Sequence, residues 1–380
     1  MNFTRGVFPS CPRVWVLTNP HPGNRIQAIA LAEALDWPFE VKELHFTKDS
    51  RWRLTPRQPA HAMLDQKSRA LLTPPWPDLV IGVGRSTAPV TRWISTMSNG
   101  QTRTVQLGRT GGAAPHHYDA VIAPLHCRMP PDPRRFDTIA PLNSISPQQL
   151  AEAGRQWPGL LDGLPRPVVG LLVGGDAARF RLGADDARIM AQQVRRWVEE
   201  CGGSVMAVTS RRTSLAAGQA LQTVLGAPHR LYLWQPASDA NPYRALLAQA
   251  DALVVTGESE SMLAEAAATT APLYVYPVTE IRRFNGRLRE WCITRVHTSS
   301  SRNAGSNHLD SALAWMIRRG VLRPRRDIAL LHQALYASGR AQPFGKPLRT
   351  TPQPPLPPEA PQVARWLKEI LRTDGRAHPE

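Results

Sequence analysis

Cysteine is scarce, with four residues in 380, at Cys11, Cys127, Cys201 and Cys292. They lie too far apart to make the close pairs that a zinc site uses, so no metal is expected and the four read as free thiols in a reducing compartment. Long apolar runs are missing as well. None approaches the ~18 residues of a membrane-spanning helix, and the start of the chain, one Arg followed by Gly-Val-Phe-Pro-Ser, makes no signal-peptide core. The expectation is a cytoplasmic protein, with a peripheral seat on the inner face of a membrane left open. Acidic residues are few: 30 Asp and Glu against 46 Lys and Arg, a formal net charge of +16. That balance draws the molecule to phosphorylated small molecules, anionic lipid or nucleic acid, although arginines scattered over helices also read as a solvated face. No ribonucleoprotein, zinc-finger or helix-turn-helix signature is present, so no nucleic-acid partner is expected. Also missing are a Gly-x-Gly-x-x-Gly loop after the first strand and a Tyr-x-x-x-Lys pair, which argues against a nucleotide-sugar epimerase.

What is present is a succession of strand, loop and helix, in a chain long enough for two cores. Val14 to Leu17 reads as a buried strand, and Arg25 to Leu35 as a helix, with Pro22 and Gly23 in a tight loop and Asn24 as the cap. Such a loop lies at the carboxyl end of its strand, where doubly wound sheets bind ligands, and Gln27 on the first turn can reach the same place. Further strands are expected at Val41 to Phe46, Asp78 to Val83, Arg103 to Leu107 and Ala120 to Ala123. Gly84-Arg85-Ser86-Thr87 follows one as a loop, and Pro124-Leu125-His126-Cys127 follows another, placing His126 on the same rim, unless it is plain polar surface. Pro130 to Pro158 reads as the domain connection, irregular at first and then helical from Gln148 to Gln156.

The second half repeats the style. Val168 to Val173 leads to Gly174-Gly175-Asp176, where two glycines let backbone close on a phosphate or simply turn. Val205 to Val208 delivers Thr209-Ser210-Arg211-Arg212-Thr213-Ser214, hydroxyls and guanidiniums that suit a diphosphate or cap a helix. Leu231 to Trp234 is a further strand. The stretch from Asp251 to Ala268 (DALVVTGESESMLAEAAA) is a strand, a Thr-Gly break and a hydroxyl-rich helix start. Backbone N–H groups there are free to receive an anion, with Ser259 and Ser261 at the start and Glu265 one turn on, able to accept from sugar hydroxyls. The bland alternative is a capping serine and a solvated glutamate. Beyond lie the basic run Arg282 to Arg287, a Ser/Asn- and then Arg-rich segment, a helix from Asp327 to Ser338, a Pro-rich stretch and a last amphipathic helix from Gln362 to Arg372.

Taken together, VLTNPHPGNRIQAIALAEAL, VGGDAARFRL, TSRRTS, NPYRALL, DALVVTGESESMLAEAAA with LYVYP, and LYASGRAQPFGKP resemble, in order, the family named after the plant Elongated Mitochondria fission factor. The resemblance implies an α/β fold of two Rossmann-like, doubly wound domains facing across a cleft, as in GT-B glycosyltransferases. Residues 13–150 would form the acceptor-side domain and 166–295 the nucleotide-sugar side. A partly ordered insertion at 296–334 and a Pro-rich segment with a closing helix at 335–380 would follow. It also implies a donor-side set of Gly174, Gly175, Thr209, Ser210, Arg211, Ser259, Ser261 and Glu265, to which the residues add Arg212. The acceptor side would be Gly23, Asn24 and Gln27, with Arg85 beside them. The sequence departs from the family at Asp176, where Pro is usual, at Gly108-Arg109-Thr110 and at Cys127. Glu258 and Glu265 are seven apart, one short of the spacing in retaining GT-B enzymes, so retention is not assigned.

The enzyme expected is a metal-independent glycosyltransferase that uses a nucleotide-sugar as substrate and needs no cofactor. Helix starts and Arg211 or Arg212 would neutralise the departing diphosphate, and His126 or His21 would serve as base toward a glycan or lipid-linked acceptor at an anionic membrane surface. The alternative is a non-catalytic, membrane-associated organising factor.

Overall fold

The computed structural model describes residues 8–47, 60–110, 115–129, 132–177, 179–236, 240–281, 313, 316 and 326–373. The basic run at Arg282 to Arg287 lies outside them, as does 296–325 of the expected insertion apart from Leu313 and Met316. The chain divides into two compact units. The first takes Met1–Ser144, Asn285–Asp327 and Pro358–Glu380, the second Ile145–Phe284 and Ile328–Pro357.

In the first unit, β1 (Val14–Thr18), β2 (Phe39–Glu43), β3 (Leu79–Val83), β4 (Arg103–Leu107), β5 (Ala120–Pro124) and β6 (Arg135–Thr138) form one parallel sheet in the order β2-β1-β3-β4-β5-β6. β1, β3, β4 and β5 are buried at every position, and three of them read as unbroken apolar runs because both faces of the sheet are covered. Val14 and Val16 pack toward α1 (Pro22–Leu35), while Trp15 and Leu17 pack toward α3 (Gly84–Met97). The short α2 (Gln66–Ala70) precedes β3.

The second unit opens with α4 (Pro147–Gln156). Its sheet contains β7 (Val168–Val173), β8 (Ser204–Thr209), β9 (Arg230–Tyr232), β10 (Ala252–Thr256), β11 (Leu273–Tyr276) and β12 (Ala341–Pro343), all parallel, in the order β12-β11-β10-β7-β8-β9. The helices are α5 (Ala184–Glu199), α6 (Leu215–Val224), α7 (Tyr243–Gln249), α8 (Glu260–Ala267) and α9 (Ile328–Ala337). The last helix, α10 (Ala360–Thr373), returns to the first unit, where Val363, Ala364, Leu367 and Leu371 join the core under α1. The closing segment is therefore shared between the units.

Each sheet reverses its direction of growth once. In the first unit the chain lays β2 on one side of β1 and β3 on the other. In the second, β8 and β9 go to one side of β7, and β10 to β12 to the other. The carboxyl ends of β1 and β3, and of β7 and β10, are thus the two switch points, where flanking loops turn apart and leave a crevice.

Several expectations change. β2 lies earlier than the run Val41 to Phe46, and Phe46 instead makes an isolated antiparallel bridge with Leu64. β9 ends at Tyr232, two residues short of Trp234. α1 starts at Pro22 with His21 as its N-cap, so Asn24 lies within the first turn and does not cap it. No loop follows β3: α3 begins at Gly84, whose φ of 74° turns the chain directly from strand to helix. Polar β6 interrupts the connection that was read as irregular.

Candidate functional site

The second unit's switch point is built from the ends of β7, β10 and the neighbouring β8. The Gly174 N–H donates to Thr256 Oγ1 at 2.8 Å, and the Gly175 N–H to Glu258 Oε1 at 2.7 Å. From the β8 side, Ser210 Oγ donates to the Gly174 carbonyl at 2.6 Å, and Thr213 Oγ1 donates to the same oxygen. Arg212 crosses to β10's loop: Nη2 lies 3.3 Å from Glu258 Oε1 and 3.0 Å from Ser259 Oγ. Three loops far apart in sequence are knitted into one surface.

The glycine pair proves to accommodate the chain's own groups. A Cβ on Gly174 would meet Glu258 Oε1 at 1.8 Å, and one on Gly175, at φ 150°, would meet the Arg212 carbonyl at 2.2 Å. The Glu258 side chain is fully buried, and its Oε2 has no hydrogen-bond partner among the described residues. Burial pushes its carboxyl up, against the Arg212 guanidinium, the Gly175 N–H and the Thr256 hydroxyl, which favour the ionised form. Gly174→Ala should cost about 2–4 kcal/mol by evicting this carboxylate, whereas Gly226→Ala, where a Cβ meets nothing within 4 Å, should stay within about 0.5 kcal/mol. Urea denaturation of both variants checks the contrast.

The remaining donor-side residues divide between internal and outward roles. Buried Thr209 accepts the Trp234 N–H at 2.8 Å, and Ser214 caps α6 through the Ala217 N–H at 3.2 Å. Asp176 stands on a loop, not at a helix entry; its carboxylate accepts the Leu182 N–H and faces Arg181 at 3.5 Å, which balances its charge. Arg211 is exposed and Ser261 half-buried. Ser259 is the N-cap of α8 but makes no side-chain cap bond, so the helix start is not sealed by its own hydroxyl. Glu265 is buried behind it. Burial raises its carboxyl to about 7, against the Tyr243 hydroxyl and Arg244, which favour ionisation. Tyr243 is itself pushed well above its ordinary value by burial and then by Glu265, and its hydroxyl completes no hydrogen bond of normal geometry.

At the other end of α8, buried Arg340 donates to the carbonyls of Ala266, Ala267, Thr269 and Ala271 at 2.8–2.9 Å. A cation at a helix carboxyl end meets the negative pole of the macrodipole. The sequence reading missed this residue; its only local signal is a lone Arg after Ser338-Gly339.

In the first unit, Asn19 joins the two sides of the switch point. Its Nδ2 donates to Ser86 Oγ at 2.9 Å, and its Oδ1 accepts from Asn24 Nδ2 at 3.1 Å. Gln27 Nε2 returns to the Gly23 carbonyl at 3.0 Å. His21 and Arg85 are exposed at the heads of α1 and α3, neither of which has a side-chain cap bond. His126 does not stand on the rim: it is 0% exposed, in a tight turn whose carbonyl accepts the Asp327 N–H. Burial under this turn withholds the ring from solvent. Among the described residues, no group of three or more His, Cys, Asp or Glu could hold a metal ion, and no helix is long and apolar enough to cross a membrane.

Fold and switch points together define a doubly wound α/β protein of two units, each with polar loops gathered at the place where such sheets hold ligands. The chain belongs to the mitochondrial fission ELM1 family, whose family model matches residues 22–319. It is similar to mitochondrial fission protein ELM1 of Arabidopsis thaliana, 27% identical over 248 residues, which are 58% of this chain and 57% of that protein. The chain thus spans a little over half the length of that relative. Similar solved structures include UDP-GlcNAc 2-epimerase from Methanocaldococcus jannaschii, 11% identical with a TM-score of 0.48, covering 94% of this chain and 99% of that one. Another is ADP-heptose LPS heptosyltransferase II of E. coli, 14% identical with a TM-score of 0.41, covering 70% and 84%.

Proposed function

We propose that the chain is a GT-B-like glycosyltransferase that moves a sugar from a nucleotide-sugar donor to an envelope or lipid-linked acceptor without a metal. The observation that carries this reading is the convergence of the β7, β8 and β10 loops on the second unit's switch point. The start of α8, with Ser259 and Ser261, and the neighbouring Arg211 and Arg212 suit the two phosphates of a leaving nucleoside diphosphate. Glu265, one turn along the same helix, is buried and would meet the sugar hydroxyls only once this face of α8 is uncovered. The acceptor belongs to the first unit, at Gly23, Asn24, Gln27 and Arg85. His21, exposed beside them, is the better-placed base, since His126 would first have to emerge from the core.

A second reading, the non-catalytic organising factor at a membrane, is favoured by the charge distribution. The first unit holds 30 Lys and Arg against 17 Asp and Glu, the second 16 against 13. Nearly all the excess positive charge therefore sits on the unit assigned to the acceptor, which also suits an anionic lipid surface. A thermal-shift panel of UDP-, GDP-, CMP- and dTDP-sugars separates the readings. Transfer predicts that one nucleotide class raises the melting temperature by about 2–4 °C at millimolar ligand. No shift with any of them would leave the organising role.

A further inference from the structure

The space that Gly174 opens in the second unit is filled by a carboxylate of the same chain. Glu258 Oε1 accepts from the Gly175 N–H and from Arg212, a backbone amide and a guanidinium of the kind that receives a phosphate oxygen. We propose that Glu258 is a resident counter-anion: it holds Arg212 in place until the donor's diphosphate takes the guanidinium, and the released carboxylate then takes up a proton from solvent at Oε2. The inference rests on the nucleotide-sugar reading and names a positioning residue for it.

Three features separate this from a fixed structural ion pair. A permanent buried pair is expected to satisfy both carboxylate oxygens, yet Oε2 has no hydrogen-bond partner among the described residues. Arg212 is held loosely: its side chain is 30% exposed, its contact with Glu258 is 3.3 Å, and its contacts with the Gly175 and Asp176 carbonyls are 3.4 and 3.5 Å. The guanidinium also already touches Ser259 Oγ, the N-cap of α8, so a short swing at this end leaves it beside the helix start. Once Arg212 turns to a diphosphate, an ionised Glu258 would be a buried charge without a counter-ion, and protonation removes that penalty. Burial already favours the protonated carboxyl.

The other ionisable groups on the elements around Glu258 are Asp176, Arg179 and Arg181 on the β7 loop, Arg211 and Arg212 on the β8 loop, Glu260 and Glu265 on α8, and Tyr336 and His332 on α9, the latter with its Nε2 2.7 Å from the Gly257 carbonyl. Of these, Arg212 alone forms an ion pair with Glu258 among the described residues. Because binding consumes a proton, donor affinity falls as pH rises through the titration of the released carboxyl.

The test is isothermal titration calorimetry of the full chain with UDP-glucose, or whichever nucleotide-sugar raises the melting temperature, in two buffers of different ionisation enthalpy near pH 7. A diphosphate diester has no group titrating there, so protons exchanged belong to the protein. Wild type should take up close to one proton per donor. Glu258→Gln, which keeps an acceptor for the Gly175 N–H, should take up none and should bind about tenfold more tightly, because Arg212 is no longer shared. A purely structural Glu258 predicts weaker binding in the variant and no proton exchange, and either result overturns the proposal. Should Glu258→Gln fail to fold, the wild-type proton count decides alone. If no nucleotide-sugar binds to either protein, the transferase reading falls, and titration with inorganic pyrophosphate decides the exchange. Tighter binding by the variant supports it; equal, weaker or absent binding overturns it.

Discussion

Replacing Arg340 by methionine is expected to cost about 4 kcal/mol of stability. The guanidinium is 3% exposed and is the partner of four carbonyls that close the end of α8. Methionine matches its length but leaves the Thr269 and Ala271 carbonyls without their donor, whereas those of Ala266 and Ala267 keep the N–H groups of Thr269 and Leu356. The loss of one side of a buried charge–dipole cluster falls in the range of ~3–5 kcal/mol. Burial lowers the Arg340 pKa only to about 10, so it is charged at neutral pH and the interaction is that of a full cation with a helix end. Arg340→Lys should recover less than half of the loss, because an ammonium cannot reproduce the planar fork that reaches four oxygens. Urea denaturation measures both. A loss below about 1 kcal/mol for the methionine variant would mean that the carbonyls find other partners. Since α8 has only 8 residues, the disturbance should also reach Glu258 and Ser259 at its start.

Glu265→Gln should change how stability depends on pH. The ordinary value of this carboxyl is 4.5, and burial raises it in the folded chain to about 7. A folded pKa above the unfolded one means that the native state holds the proton more tightly. The contribution is therefore complete below about pH 4.5 and is lost as pH rises through about 7. The separation corresponds to about 3 kcal/mol. Between about pH 4.5 and pH 8, wild type should lose roughly that much more stability than the glutamine variant. Denaturant melts at the two pH values provide the comparison, and equal pH slopes would show that Glu265 is not the group responsible. The same variant should weaken nucleotide-sugar binding if the carboxylate accepts from sugar hydroxyls.

The buried strands were legible because a parallel sheet covered on both faces writes itself as runs of Val, Leu, Ile and Ala, as in β1, β3, β5, β7, β8 and β10. β6 and β12 were not, because edge strands carry little burial: Arg-Phe-Asp-Thr and Ala-Gln-Pro have no apolar signature. Loops at the strand ends were legible as a class, since they must lie there in any doubly wound sheet. Their contents were not. Gly174 and Gly175 read as a cradle for a ligand phosphate or as a plain turn, whereas the group that Gly175 meets, Glu258, is 83 residues away. His126 at the end of a strand reads as rim, but the turn around it folds inward and buries the ring. Arg340 is recognisable only after the chain has brought it to α8, some 70 residues away.

The return of α10 to the first unit has a consequence for biosynthesis. The sheet of that unit leaves the ribosome before the second unit, yet the apolar face of α1 is covered by Val363, Ala364, Leu367 and Leu371, which leave it only after the second unit is made. The earlier-made unit must therefore wait, with an unsealed core, while the later-made one is translated. A nascent chain stalled before Pro358 should expose that face to chaperones and proteases, and no single cut in the gene can yield the two units as separate, complete products.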